Sequence, residues 1–163
     1  MTFTPRTWAV GETVTAAIMN QEIRDQFNTM LAAWTSYTPT WTAATTNPAI
    51  GNGTLSGRYM RYGRTCWVHI SVTMGSTTTY GSGVWAFTAP FTSAATGTRV
   101  GSAHAFQSQR YAGNVVISPS GTSVLPFFPA SSAVSNLSQA TSTVPVTWAN
   151  TGQLHMTFTY ETT

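Results

Sequence analysis

The pattern of apolar and polar positions divides the chain in two. Between residues 14 and 34 there is no Gly and no Pro, and Ala, Met, Gln, Glu, Arg and Leu dominate, the composition of a helix. Thr15 is placed to cap its start, with Ala16 and Ala17 opening the first turn. Ile23, Phe27, Met30 and Trp34 follow at spacings of 4, 3 and 4, an apolar seam with a heptad-like repeat. Asn20 extends it backwards by three residues as a polar member of the kind that sets register. A helix of about 20 residues is marginal by itself, so the seam must be covered by the rest of the chain or by copies of itself. Its isolated position and the polar linker that follows favour copies.

From residue 36 the period changes to two. In 64–74, Cys66, Val68, Ile70, Val72 and Met74 alternate with Thr65, Trp67, His69, Ser71 and Thr73, which predicts a half-buried strand. The alternation returns at 153–160, where Leu154, Met156, Phe158 and Tyr160 face away from Gln153, His155, Thr157 and Thr159. Shorter strands are predicted at 84–88, stopped by Pro90, and at 98–109, 114–118, 123–128 and 144–148, with 37–41 extended. Turn residues fill 47–57 and 75–83, which read as loops. Residues 131–142, rich in Ser, Ala and Thr without a period, read as a long surface loop. The fold expected is mainly β: a short N-terminal helix in a segment 1–35, then an antiparallel β-sandwich or jelly-roll-like domain at 36–163.

Composition removes several function classes. Charged residues make up 7% of the chain, against about 25% in an ordinary soluble domain. All seven basic residues are Arg, while 31 Thr and 16 Ser put a hydroxyl on 47 of 163 residues. The 12% aromatic content excludes a disordered chain, and the shortage of charged helices excludes a nucleotide-binding α/β enzyme. Threonine suits strands and wets their outer face without charge. The net charge of +3 reflects few acids more than a basic patch. The one cluster, Arg58, Arg61 and Arg64 interleaved with Tyr59 and Tyr62, reads as a strand end with solvated arginines, so nucleic acid is not an expected partner. A single cysteine, Cys66, excludes an intrachain disulfide and a cysteine-built zinc site. No apolar run reaches about 18 residues, so membrane insertion is not expected. The opening Met1-Thr2-Phe3-Thr4-Pro5-Arg6 lacks a signal-peptide pattern, so synthesis in a cytoplasm is.

A search for chemistry returns little. The four acids are Glu12, Glu22, Asp25 and Glu161; the first three sit near or on the helix, where its dipole favours them. Residues 36–160 hold no Asp or Glu at all. Two facing carboxylates for glycoside hydrolysis are therefore missing, as is an acid to orient a Ser–His pair, and no Gly-x-Ser-x-Gly elbow occurs. His69, His104 and His155 are far apart and form no His-x-His pair, so they read as surface or interface histidines, although a threefold axis would bring three copies of one together. The stretches 51–57 and 81–83 are Gly-rich but lack the Lys and following helix of a phosphate loop, and read as hairpin or loop glycines. Asn52-Gly53-Thr54 and Asn136-Leu137-Ser138 match the glycosylation pattern, which is common by chance. No metal or cofactor is expected. Aromatics offer more: Trp67 on the polar face of its strand, Trp85 on the next strand and Tyr80 between them are candidates for stacking on sugar rings. The alternative is that they fill a second core or a subunit interface.

Two blocks carry a resemblance. Trp8, Gly11, Glu12, Val14, Thr15, Ala16, Ala17 and Asn20, followed by Ile23-Arg24-Asp25, resemble an opening that recurs in structural proteins of tailed phages as W-x-x-G-E-x-V-T-A-A-x-x-N-x-x-I-R-D. Tyr37-Thr38-Pro39-Thr40-Trp41, Asn47-Pro48, the run 51–59, Gly63 and Gly81-Ser82-Gly83 resemble the β module of tail fibres and minor tail proteins, especially of phages infecting actinobacteria. The resemblance covers about residues 1–90. It implies a homotrimeric virion protein without catalytic residues, attached to other virion proteins through its N-terminal segment, with the β domain outward. On that reading three copies of Asn20, Ile23, Phe27, Met30 and Trp34 meet on the axis, and the outer domain binds host-surface glycan or stabilises the tail tip. A capsid decoration or head-fibre protein shares this architecture. An enzyme on cell-wall polysaccharide, borrowing Glu161 from a neighbouring copy, would lack a second carboxylate.

Overall fold

The computed structural model describes residues 6–130 and 136–163. Its N-terminal helix runs over 16–30 in three pieces: α1 (Ala16–Met19), a π-helical turn (Asn20–Arg24) and α2 (Asp25–Met30). Thr15 caps it, Oγ1 accepting from the Ile18 N–H at 3.3 Å. In the π turn the Asp25 N–H reaches the Asn20 carbonyl. That wider turn rotates the residues before it relative to α2, so Asn20 leaves the regular spacing on which the seam was read. The helix also stops at Met30, four residues earlier than expected. Pairing of β1 with β3 requires extended backbone from Thr35, which overrides the helix propensity of Ala32 and Ala33. Trp34 therefore lies beyond the helix, with the Arg58 guanidinium 5.6 Å from its ring centre.

The rest is mainly β, as the period-two pattern predicts. The strands are β1 (Thr35–Tyr37), β2 (Trp41–Ala43), β3 (Thr54–Tyr62), β4 (Thr65–Thr73), β5 (Trp85–Thr88), β6 (Arg99–Gln107), β7 (Gln109–Ile117), β8 (Ser123–Pro129), β9 (Leu137–Gln139) and β10 (Gln153–Glu161). All pair antiparallel in one curled sheet of order β1-β3-β4-β10-β6-β7-β8-β5-β2, with β9 on β8. The end strands β1 and β2 are separated in the chain only by residues 38–40, so the sheet must roll until its ends meet. Thr88 ties that junction. Its Oγ1 accepts from the Thr40 N–H at 2.8 Å, its N–H donates to the Thr40 carbonyl at 3.1 Å, and its carbonyl accepts from the Tyr37 hydroxyl at 3.3 Å.

The rolled sheet encloses one core. Val68, Ile70 and Val72 of β4 and Leu154 and Met156 of β10 are fully buried, beside Trp85, Phe87, Val115, Ile117 and Phe128. Each such side chain contributes about 1.5–3 kcal/mol, so stability resides here. Neither α1 nor the π turn buries a residue.

Several local expectations needed correction. The strand expected at 98–109 contains a hairpin: Ser108, at φ 64°, turns the chain so that Gln107 pairs with Gln109. No Gly or Pro marks that turn. The loop expected at 47–57 ends at Gly53, because Gly57 lies inside β3, where the Tyr37 ring and Pro39 occupy the space of a side chain. Residues 144–148 form no strand; Pro145 removes a donor there, while Trp148 turns inward at 3% exposure. Of the surface loop expected at 131–142, residues 131–135 lie outside the described residues, 137–139 form edge strand β9, and Ala140 is buried.

Candidate functional site

Two surfaces carry the residues singled out from sequence. The first is the apolar face of the N-terminal segment. Ile23, Phe27, Met30 and Trp34 are 42%, 57%, 42% and 42% exposed, and the neighbouring Leu31 82%. Phe27 and Met30 keep α spacing within α2, Ile23 belongs to the π turn, and Asn20 at its start is exposed. The segment Trp8–Glu12, which carries part of the phage-like motif, forms a turn. The Glu12 N–H bonds to the Ala9 carbonyl at 3.2 Å, and Gly11 takes φ 81°, which favours glycine. The Glu12 carboxylate accepts from the Ala9 N–H and pairs with Arg6, whose guanidinium lies over Trp8. Where the helix ends, Asn28, Ala32, Ala33, Thr35, Tyr59, Met60 and Arg61 line an open cleft of about 340 Å³ against β3.

The second surface is the outer face of β3, β4, β10, β6 and β7. Strand alternation sends Trp67, His69 and Ser71 of β4, His155 and Thr157 of β10, and Ser102, His104 and Phe106 of β6 outward. Register then joins what the sequence separates. His155 stands opposite Ser71 on one side and His104 on the other, and His69 stands opposite Thr157, one diagonal step away. The His104 and His155 rings stack with centres 6.4 Å apart and planes 22° apart. His155 Nδ1 is 2.6 Å from the Ser71 hydroxyl, and Nε2 is 3.3 Å from Gln153 Oε1. Because that oxygen only accepts, Nε2 carries the proton and Nδ1 accepts from Ser71. His104 Nε2 lies 3.4 Å from Arg110 Nη1, a pure donor, and so accepts. Arg110 also lies over the Phe106 ring at 5.3 Å. Burial, then His104, then His69, hold the His155 pKa below its ordinary value.

The three sugar-stacking candidates do not converge. Trp67 is 38% exposed on the outer face, between Met60 of β3 and Thr159 of β10. Trp85 is fully buried, and this corrects its candidacy. Its ring meets Trp41 edge-on at 4.8 Å and Trp148 at 5.5 Å, and its Nε1 donates to the Tyr80 carbonyl at 3.0 Å. Strand alternation at 85–88 has the same period inward or outward, so it does not say which face Trp85 takes. Tyr80 packs half-buried against the core, and burial raises its phenol pKa.

Other candidates take structural roles. Glu161 is held by Arg64 at 3.1 Å and Arg99 at 3.3 Å, one guanidinium on each oxygen. Arg61 bonds to the Gly63 and Thr163 carbonyls and lies over Phe91, so the arginines of 58–64 each have a structural partner and do not converge on one site. Asn52 stitches two loops: its Oδ1 accepts from the Thr77 N–H at 2.9 Å and its Nδ2 donates to Ser76 at 3.0 Å. The Cys66 thiol is buried, and burial pushes its pKa up to about 11, which removes it as a nucleophile at neutral pH. Among the described residues no group of three or more His, Cys, Asp or Glu is arranged to hold a metal ion, and no helix is long and apolar enough to cross a membrane.

The alternation of 64–74 and 153–160 is enough to put His69 and His155 on polar faces; their juxtaposition with His104 depends on β10 inserting between β4 and β6. No family model matches the chain, and no curated protein or solved structure matches it either.

Proposed function

We propose that the chain is a non-enzymatic structural protein of a virion: a homotrimeric component of a phage tail fibre or tail tip, made in the host cytoplasm and exposed on the particle. Its N-terminal segment joins other virion proteins and its β domain meets host-surface glycan. The observation that carries this reading is the unburied seam. Ile23, Phe27, Met30 and Trp34 leave about half of their surface open, whereas side chains as large as Trp85, Tyr160, Phe87 and Phe128 are almost completely buried, and water-exposed apolar rows of this kind mark interfaces. A threefold arrangement covers such a row with copies of itself and protects short edge strands such as β1, β2 and β9 from pairing with strangers. The non-enzymatic part rests on Glu161, the sole acid of 36–163, which is committed to Arg64 and Arg99. The glycan part rests on Trp67, exposed on the outer face between Met60 and Thr159.

The test is location. Gold-labelled antibody raised against 36–163 should mark the tail of particles that contain the chain. Label on the capsid would replace this reading with a decoration or head-fibre role, and particles that never carry label would refute both.

A further inference from the structure

Charge is distributed unevenly between the two parts. Residues 36–163 hold five Arg against Glu161 alone, a formal charge of +4; residues 1–35 hold two Arg against three acids, a charge of −1. The outer face adds all three histidines of the chain, drawn from positions 35 and 51 residues apart onto three adjacent strands. The groups facing them are defined. From β4, Ser71 and His69 face His155; from β6, His104 faces it; from β7, Arg110 contacts His104. From β3, Arg58 stands opposite His69 with Trp34 against its far side. Along β10 itself the neighbours are Gln153 and Thr157, and Glu161 lies at the strand's end, neutralised by Arg64 and Arg99. Among the described residues no carboxylate is paired with the histidines across the strands.

We propose that the outer face of β3, β4, β10, β6 and β7 binds a polysaccharide bearing carboxylate or phosphate groups, with Trp67 as the stacking platform and Arg58, His69, His155, His104 and Arg110 as a cationic row, and that binding tightens on acidification. This rests on the glycan-binding reading above and names the chemistry of the glycan. An anionic chain supplies a counter-charge to the row, whose side chains are not paired with Glu161, and an exposed indole beside the row accepts a sugar face. Strand pairing makes the row broad and open rather than pocketed, which suits a polymer more than a small anion. The hydrogen bonds of His155 fit a neutral imidazole, and Arg58 and Arg110 are the fixed charges of the row. Imidazoles as a class gain charge on acidification.

The experiment uses the full chain and polygalacturonate, with methyl-esterified polygalacturonate as the uncharged backbone and single-stranded dT oligomers as a second polyanion. Polygalacturonate should bind about tenfold more tightly at about pH 5.5 than at about pH 7.5 in low salt, the gain fading as salt screens it. The esterified polymer should show no such gain. The combined variant His69→Asn, His104→Asn, His155→Asn should lose the pH dependence while Trp67→Ala weakens binding at both pH values. If the combined variant melts early, His104→Asn by itself should reduce the pH gain, and Arg110→Gln should weaken binding at both pH values. Equal, pH-independent binding of both polymers would overturn this inference and leave a neutral-glycan reading standing; tighter binding of dT than of polygalacturonate would overturn both in favour of a nucleic-acid surface.

Discussion

The seam can be tested by replacing Phe27 and Met30 together with Asp. From the exposures of Ile23, Phe27, Met30 and Trp34, the seam offers roughly 400 Å² of apolar surface per chain, about 10 kcal/mol when fully covered. Three chains then gain about 30 kcal/mol, against about 4–15 kcal/mol lost at each of two association steps. The seam is thus sufficient for a trimer without a large surplus. Phe27 and Met30 supply about half of it, so their loss costs roughly 15 kcal/mol per trimer, before three pairs of like charges are forced together near the axis. Light scattering coupled to size exclusion should give three times the 17.5 kDa chain mass for the parent and a single chain mass for the double variant. The β core makes no use of either side chain, so far-UV and thermal signatures of the sheet should survive. A parent of one chain mass would refute trimerisation. A variant that keeps the parent's oligomeric mass would place the interface elsewhere and leave the seam packed on its own domain.

Three further outcomes follow from the β domain. Trp85→Ala removes a fully buried ring that touches Trp41 and Trp148 and donates to the Tyr80 carbonyl, and should cost about 3–5 kcal/mol in chemical denaturation; Trp67→Ala, half as deep, should cost about 1 kcal/mol or less, and equal costs would contradict the assigned faces. Gly57→Val would push its side chain into the Tyr37 ring and Pro39, loosening the β1–β2 junction by about 1–3 kcal/mol, read as a lower denaturation midpoint; an unchanged midpoint would mean that Tyr37 moves freely. The His155 pKa is lowered on folding from an ordinary 6.5, so the unfolded chain takes up the proton first as pH falls. The stability tied to neutral His155 should be complete above about pH 6.5 and fade as pH drops through the folded value; a His155→Gln variant should flatten that slope, and an identical slope would remove His155 as its source.

Strand content was legible wherever one face is buried and the other wet. Residues 64–74 and 153–160 alternate without interruption because both line the same core from adjacent strands, as the pairing of Leu154 with Val72 and of Phe158 with Val68 confirms. Legibility failed where a residue's local signal and its tertiary task disagree. Gly57 reads as a turn but serves to let Tyr37 close on β3; Ser108 makes a turn without a turn residue's usual composition; Ala32 and Ala33 favour a helix that pairing of β1 forbids. Trp85 failed differently, since alternation assigns two faces without saying which is inside, and only its contacts with Trp41 and Trp148 decide.

The candidate binding face shows which part of a site a sequence can carry. The absence of acids between residues 36 and 160 is a composition fact that holds whatever the topology, and it already removes carboxylate chemistry from that region. The assembly of His69, His104 and His155 is a topology fact. It arises because the last long strand, β10, inserts between β4 and β6, and nothing in the spacing of three solitary histidines encodes that insertion. The two facts reinforce each other: three histidines gathered on a sheet rich in Asp or Glu would have their charge cancelled as it appeared, whereas the single acid of this face, Glu161, stands at the end of β10 and is already paired with Arg64 and Arg99. Burial of its ring, then the neighbouring His104 and His69, hold the His155 pKa down, so this ring resists protonation until an anion supplies the counter-charge.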